Sequence, residues 1–216
     1  MARATHSERR REPRAHPGIA RLGIFGGTFD PIHVGHLVAA VNARHDLRLD
    51  RVLLVVANEP WQKVGGRAVT PALDRLALVE AAIAGVEGLE ASSIEIERGG
   101  PSYTADTAAE LARRYPGAEL FLLVGADVAA GLGTWERLDE VRRLVTLAVV
   151  NRPGARLERA AGELAGFRVT TVEIPGLELS STELRERAAT GRPLEFLVPE
   201  QAIRLIRERR LYAGAE

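Results

Sequence analysis

His33 and His36, three residues apart inside a glycine turn, are the first residues whose type and spacing could do chemistry. They close the segment Gly26-Gly27-Thr28-Phe29-Asp30-Pro31-Ile32-His33-Val34-Gly35-His36, which follows an apolar run and precedes a helix-spaced one. A strand end leading into a helix N-terminus offers unpaired main-chain N–H groups and the positive end of the helix dipole, so it suits phosphate. With the helix beginning near Pro31 to Gly35, both imidazoles share its first-turn face. Gly35 removes a side chain where a ligand would approach the backbone. A neighbouring polyphosphate would favour the charged imidazole near neutral pH. The turn contains no GxxxxGKS/T loop, and Gly23, Gly26 and Gly27 do not fit the GxGxxG fingerprint. The plain alternative is an N-cap histidine beside a solvent-facing one; two imidazoles in such a turn favour the phosphate reading.

A second anion site is legible at Ser180-Ser181-Thr182-Glu183-Leu184-Arg185. Hydroxyls and fresh helix N–H groups make a nest, with Arg185 one turn in, on the same face as Ser181. Taken alone, the segment also reads as an ordinary capped surface helix. Lys63 stands out differently: it is the only Lys beside 28 Arg. Compositional bias explains the arginines, but Lys and Arg are not interchangeable at a compact phosphate or carboxylate site.

These residues need a frame. Short Val-, Leu- and Ile-rich runs at 21–25, 51–57, 119–124, 145–150 and 167–174 alternate with helix-spaced stretches at 35–46, 71–84, 104–115 and 134–144. The run 92–97 has period-two character, and two further helices are expected at 181–189 and 199–210. Continuous apolar strands interleaved with helices predict a doubly wound, Rossmann-like α/β fold. Its sheet is mostly parallel with helices on both faces, and a small helical extension follows at about 181–212. Ligands then belong outside the C-terminal strand ends. Residues 1–18, with five Arg and two Pro and almost no large apolar side chain, read as a disordered tail before a single domain at 19–216.

Composition excludes other classes. The 216-residue chain balances 29 Lys plus Arg against 29 Asp plus Glu and has no Cys, removing thiol nucleophiles, thiolate metal sites and disulfides. Balanced charge argues against bulk binding of nucleic acid. The Arg-rich helix at its end alternates acids with core residues, as an amphipathic helix does. No apolar run approaches the ~20 residues of a membrane span, and the start has no secretory apolar segment. A cytoplasmic globular protein is the expectation.

The segment Gly26 to His36 resembles the GxFDPxHxGH signature of the nucleotidylyltransferase superfamily, and Ser180 to Arg185 matches its SxTxxR. The further pieces resemble the bacterial nicotinate-mononucleotide adenylyltransferases of NAD synthesis, and the resemblance extends from about Arg21 to Tyr212. It implies adenylyl transfer from ATP to nicotinate mononucleotide, giving nicotinate adenine dinucleotide and pyrophosphate. His33, His36 and Arg185 would be catalytic. Gly26, Gly27, Thr28, Phe29, Gly35, Gly125, Asp127, Ser180 and Thr182 would bind ATP, Gly125-Ala126-Asp127 being the family's GAD. Mg²⁺ would be held largely through substrate phosphates.

On the acceptor side, Ser102-Tyr103-Thr104-Ala105-Asp106-Thr107 resembles SYTxDT, implying that amides around Tyr103 and Thr104 hold the pyridine carboxylate. Trp135 would stack on the nicotinate ring, and Arg152 would lie near the acceptor phosphate. Lys63 would do so too, in a loop where Trp61-Gln62 replaces the Pro-His of the family's PPHK. Rival readings are the same chemistry on nicotinamide mononucleotide or phosphopantetheine, a CTP-using relative, and a nucleotide sensor without turnover. The oligomeric state is not legible.

Overall fold

The computed structural model describes residues 18–60, 68–151 and 162–213. Its frame is a six-stranded sheet in the order β3-β2-β1-β4-β5-β6, every neighbouring pair parallel. The strands are β1 (Arg21–Gly27), β2 (Arg51–Val56), β3 (Leu89–Ser92), β4 (Glu119–Gly125), β5 (Val145–Asn151) and β6 (Arg168–Glu173). The helices are α1 (Val34–Asp46), α2 (Ala72–Ile83), α3 (Ile94–Arg98), α4 (Thr104–Arg114), α5 (Ala126–Ala129), α6 (Leu138–Leu144), α7 (Ser181–Ala189) and α8 (Glu200–Glu208).

Strand periodicity sorts the core into layers. Leu53 and Val55 of β2, with Leu120, Leu122 and Val124 of β4, face α4 and α6 through Ala105, Ala108, Leu111 and Val141. On the opposite face, Val52, Phe121, Leu123 and Ala148 meet Ala39, Ala40 and Ala43 of α1. Those alanines let α1 lie close on the sheet. Leu54 and Val56 turn toward α2, and the C-terminal helices join this layer through Leu184, Ala202, Ile203 and Ile206. The helical extension is therefore part of the core rather than an appendage. β1 and β4 are neighbours whose chains then leave to opposite sides, which opens a crevice at their C-terminal ends.

Two expectations are corrected. The period-two run 92–97 is mostly helix: β3 ends at Ser92 and α3 follows. Glu97 N–H donates to Ser93 O at 2.8 Å, and Glu95 is buried rather than alternating outward. The stretch 134–144 is not one helix either. A 3-10 turn (Leu132–Thr134) leads to an extended Trp135, and Arg137 takes a left-handed φ of 54° before α6 begins. Burial of Leu132 and placement of Trp135 in the cavity override helical spacing.

Candidate active site

β1 ends in two glycines, and at the second, Gly27, the chain passes a buried aromatic ring. A Cβ on Gly27 would lie 2.8 Å from the Phe29 ring. Phe29 is buried with a φ of 49°, a conformation unfavourable for a bulky residue and held by the packing around it. Its ring meets His36 edge-on, with centroids 5.1 Å apart. The Phe29 side chain thus supports an imidazole, and any nucleotide contact at this position falls to its main chain.

His33 is the residue before the first turn of α1 and His36 the third within it. Their rings stack at 3.8 Å between centroids. His33 N–H donates to His36 Nδ1 at 3.3 Å. An Nδ1 that accepts leaves the proton of the neutral ring on Nε2, so the bond selects the tautomer whose Nε2 is a donor. His33 is buried and His36 partly exposed, so the pair is layered rather than side by side at the surface. Gly35 has a further reason in the structure: a Cβ there would come within 3.0 Å of His33 Nδ1. The glycine makes room for the imidazole.

The two signatures meet although 150 residues separate them. Ser181 Oγ donates to Pro31 O at 2.9 Å, and Arg185 Nη1 donates to Asp30 O at 2.8 Å. Arg185 Nη2 donates to Thr182 Oγ1 at 2.9 Å, which fixes the guanidinium plane. Ser180 Oγ accepts the Glu183 N–H at 3.2 Å as the N-cap of α7. The sequence placed Ser180 and Thr182 on ATP; here their hydroxyls hold the helix start and the arginine.

Beside this turn lies a cavity of about 310 Å³ lined by Gly26, Gly27, Thr28, Tyr103, Thr104, Gly125 and Trp135, among others. A Cβ on Gly26 or Gly125 would meet nothing, so both glycines border open space. Asp127 lies just past β4 with an exposed side chain, outside the cavity wall. Lys63 and Arg152, expected at the acceptor phosphate, the loop tip Trp61-Gln62 and the tail up to residue 17 lie outside the described residues.

The wall that carries Tyr103 and Thr104 is backed by polar residues, among them Asn58, Glu95 and Arg98, which spacing did not single out. Gly99 and Gly100 carry φ values of 72° and 68°, a tight turn open to glycine. Ser102 N–H donates to Glu59 O at 3.0 Å, and Asn58 N–H donates to Ser102 Oγ at 2.8 Å. The Asn58 side chain also donates to Gly100 O. Behind Tyr103 and Thr104, buried Glu95 accepts from Thr107 Oγ1, while Arg98 reaches Thr107 and Glu110. Burial pushes the Glu95 carboxyl above its usual range, against the pull of Ser102 and Thr107. Arg137 pairs with Asp106 at 2.7 Å and lies over the Tyr103 ring, closing the wall from the α6 side.

For a divalent cation, the donor set decides. Among the described residues no group of three or more His, Asp or Glu converges. No described helix is long and apolar enough to cross a membrane.

Known proteins resemble this chain in sequence and in fold. The cytidylyltransferase-like family model matches residues 24–187. The probable nicotinate-nucleotide adenylyltransferase of Corynebacterium kroppenstedtii is 47% identical over 89% of this chain and 90% of its own length. That of Exiguobacterium sibiricum is 45% identical over 89% of this chain and 99% of its own. This chain belongs to the nicotinate-nucleotide adenylyltransferase family. A Plasmodium falciparum nicotinic acid mononucleotide adenylyltransferase, solved with NaAD, shares the fold of this family member. Its TM-score is 0.75 at 16% identity, covering 89% of this chain and 97% of that one.

Proposed function

We propose that the protein transfers the adenylyl group of ATP to nicotinate mononucleotide, within one catalytic domain spanning 19–216 in the cytoplasm. The observation that carries this reading is the meeting of two distant anion-binding signatures. Arg185 is bonded to the main chain of the turn that bears His33 and His36, beside a cavity walled by Tyr103, Thr104 and Trp135.

The acceptor's 5′-phosphate oxygen attacks the α-phosphorus. The bond between that phosphorus and the oxygen bridging to the β-phosphorus breaks, and pyrophosphate leaves. The attacking phosphate is already an anion at pH 7, so no protein nucleophile is needed. What remains is alignment of two anions and stabilisation of charge on the α-phosphoryl and leaving groups. His36, in the tautomer set by its bond from His33, donates to phosphate oxygen. Arg185 stabilises the leaving pyrophosphate in an orientation held by Asp30 O and Thr182. A phosphate-borne Mg²⁺ would neutralise charge on the polyphosphate. Main-chain N–H groups at the start of α4 receive the pyridine carboxylate, and Trp135 offers the ring a flat apolar face. Lys63 and Arg152 complete the acceptor phosphate site in this reading.

The test is product analysis with ATP, Mg²⁺ and nicotinate mononucleotide. The expected products are nicotinate adenine dinucleotide and pyrophosphate in equal amounts. Parallel arms replace the acceptor with nicotinamide mononucleotide or phosphopantetheine, or ATP with CTP. A clear preference for phosphopantetheine or CTP overturns the assignment, and ATP binding without product points to the sensor.

A further inference from the structure

Arg75 has the sharpest conflict between residue type and place. It is fully buried on α2, on the stripe it shares with Leu78, Val79 and Ala82. An uncompensated charge there would be strongly destabilising. Its three guanidinium nitrogens each find a different main-chain carbonyl. Nε donates to Thr70 O at 2.7 Å, Nη1 to Thr28 O at 2.8 Å and Nη2 to Asn58 O at 3.2 Å. Buried Asp30 supplies an opposing charge and accepts the Tyr212 hydroxyl at 2.8 Å.

Thr70 lies just before α2 itself, and the other two carbonyls belong to the two sides of the reaction. Thr28 begins the turn whose next residues are Phe29, under His36, and Asp30, whose carbonyl holds Arg185. Asn58, at the exit of β2, pins Gly100 and Ser102, the approach to Tyr103 and Thr104. One planar fork therefore spans the ATP turn and the acceptor segment. From these contacts we infer that Arg75 is a positioning residue that sets the two substrate half-sites relative to each other for in-line transfer. The inference rests on the adenylyl-transfer reading. Each half-site keeps its own internal contacts without Arg75, so the residue governs alignment more than the binding of either substrate. Lys cannot replace it: one ammonium is a point donor and does not span three separated carbonyls.

The test uses the full chain with Arg75→Lys and Ser102→Ala, the second weakening the link one step beyond the clamp by removing the acceptor of the Asn58 N–H. Wild-type turnover tests the adenylyl-transfer reading itself; the ratio of variant to wild type tests Arg75. A misplacement of reacting groups from a distant change can lower kcat on the order of 10²-fold, and that loss is expected for Arg75→Lys. Calorimetric Kd values for a non-hydrolysable ATP analogue and for nicotinate mononucleotide, each alone, stay within about threefold of wild type. Ser102→Ala loses kcat by a smaller factor, and the double variant loses less than the product of the two, because both act through one chain of contacts. Turnover of folded Arg75→Lys near the wild-type value overturns the inference. So does a loss matched by weaker binding of the substrates, or a double variant whose losses multiply. If Arg75→Lys yields no folded protein, Ser102→Ala decides: lowered kcat supports the clamp, and a change confined to acceptor KM overturns it.

Discussion

On the proposed ATP side, the contacts run to the main chain of one turn: His33 N–H to His36, and Arg185 and Ser181, from the far end of the chain, to Asp30 O and Pro31 O. On the proposed acceptor side, main-chain bonds tie the turn into Ser102, but the backing of α4 is side chain to side chain, with Glu95, Thr107, Arg98 and Glu110 behind its start. The first arrangement demands particular residues at fixed spacing, since a tight turn tolerates one geometry. The second distributes its constraints over several elements, α3, α4 and the exit of β2. Removing one residue should therefore cost more on the ATP side, and should act there on kcat rather than on KM.

The sharpest way to break that comparison is His36→Ala. Removing a preorganised donor aimed at developing charge typically costs on the order of 10²–10³ in rate. That loss in kcat is expected, with the fold retained, because the ring is partly exposed and the α1 core contacts lie at Ala39, Ala40 and Ala43. Pyrophosphate release at saturating substrates, with circular dichroism of the same sample, reads both. A folded variant turning over near the wild-type rate would remove His36 from the chemistry.

Trp135→Ala sharpens the other half. Stacking beyond simple burial contributes about 0.5–1.5 kcal/mol, which converts to a roughly two- to twelve-fold rise in acceptor KM. The ATP KM and kcat should move little. An equal rise in both KM values would mean that the indole supports the whole crevice through the core cluster it packs against.

The same asymmetry explains what was legible. The parallel sheet and the HxGH and SxTxxR turns follow from continuous apolar runs and fixed spacings, signals local in sequence. Glu95 and Arg75 have no such signal, because what makes them informative is burial contributed by other elements. Arg75 did leave a trace: with Leu78, Val79 and Ala82 it interrupts an apolar stripe at helical spacing. Glu95 left none, since the run around it alternates as a surface strand would. At Gly35 the sequence points to close approach of a ligand, and only the fold adds the His33 ring that would crowd a Cβ there. Ser180 and Thr182 were found as a pair of hydroxyls, yet their partners, Glu183 N–H and Arg185, depend on where α7 starts.

Glu95→Gln gives the smallest effect and the finest probe of the acceptor wall. Burial raises the Glu95 carboxyl above its usual 4.5, so the folded protein holds this proton more tightly than the unfolded chain does. The contribution is fully present below 4.5 and is lost as pH rises through the folded value. Gln preserves an acceptor for Thr107 and carries no titrating proton. Urea unfolding across that range should therefore show a falling limb in the wild type that is absent in the variant, with the steady-state acceptor KM changed only modestly. Parallel stability profiles for the two proteins would mean that the buried carboxyl is matched by Arg98 and Thr107 so closely that folding does not perturb it. In that case the acceptor wall would be as tightly specified as the ATP turn, and the contrast between the two halves would disappear.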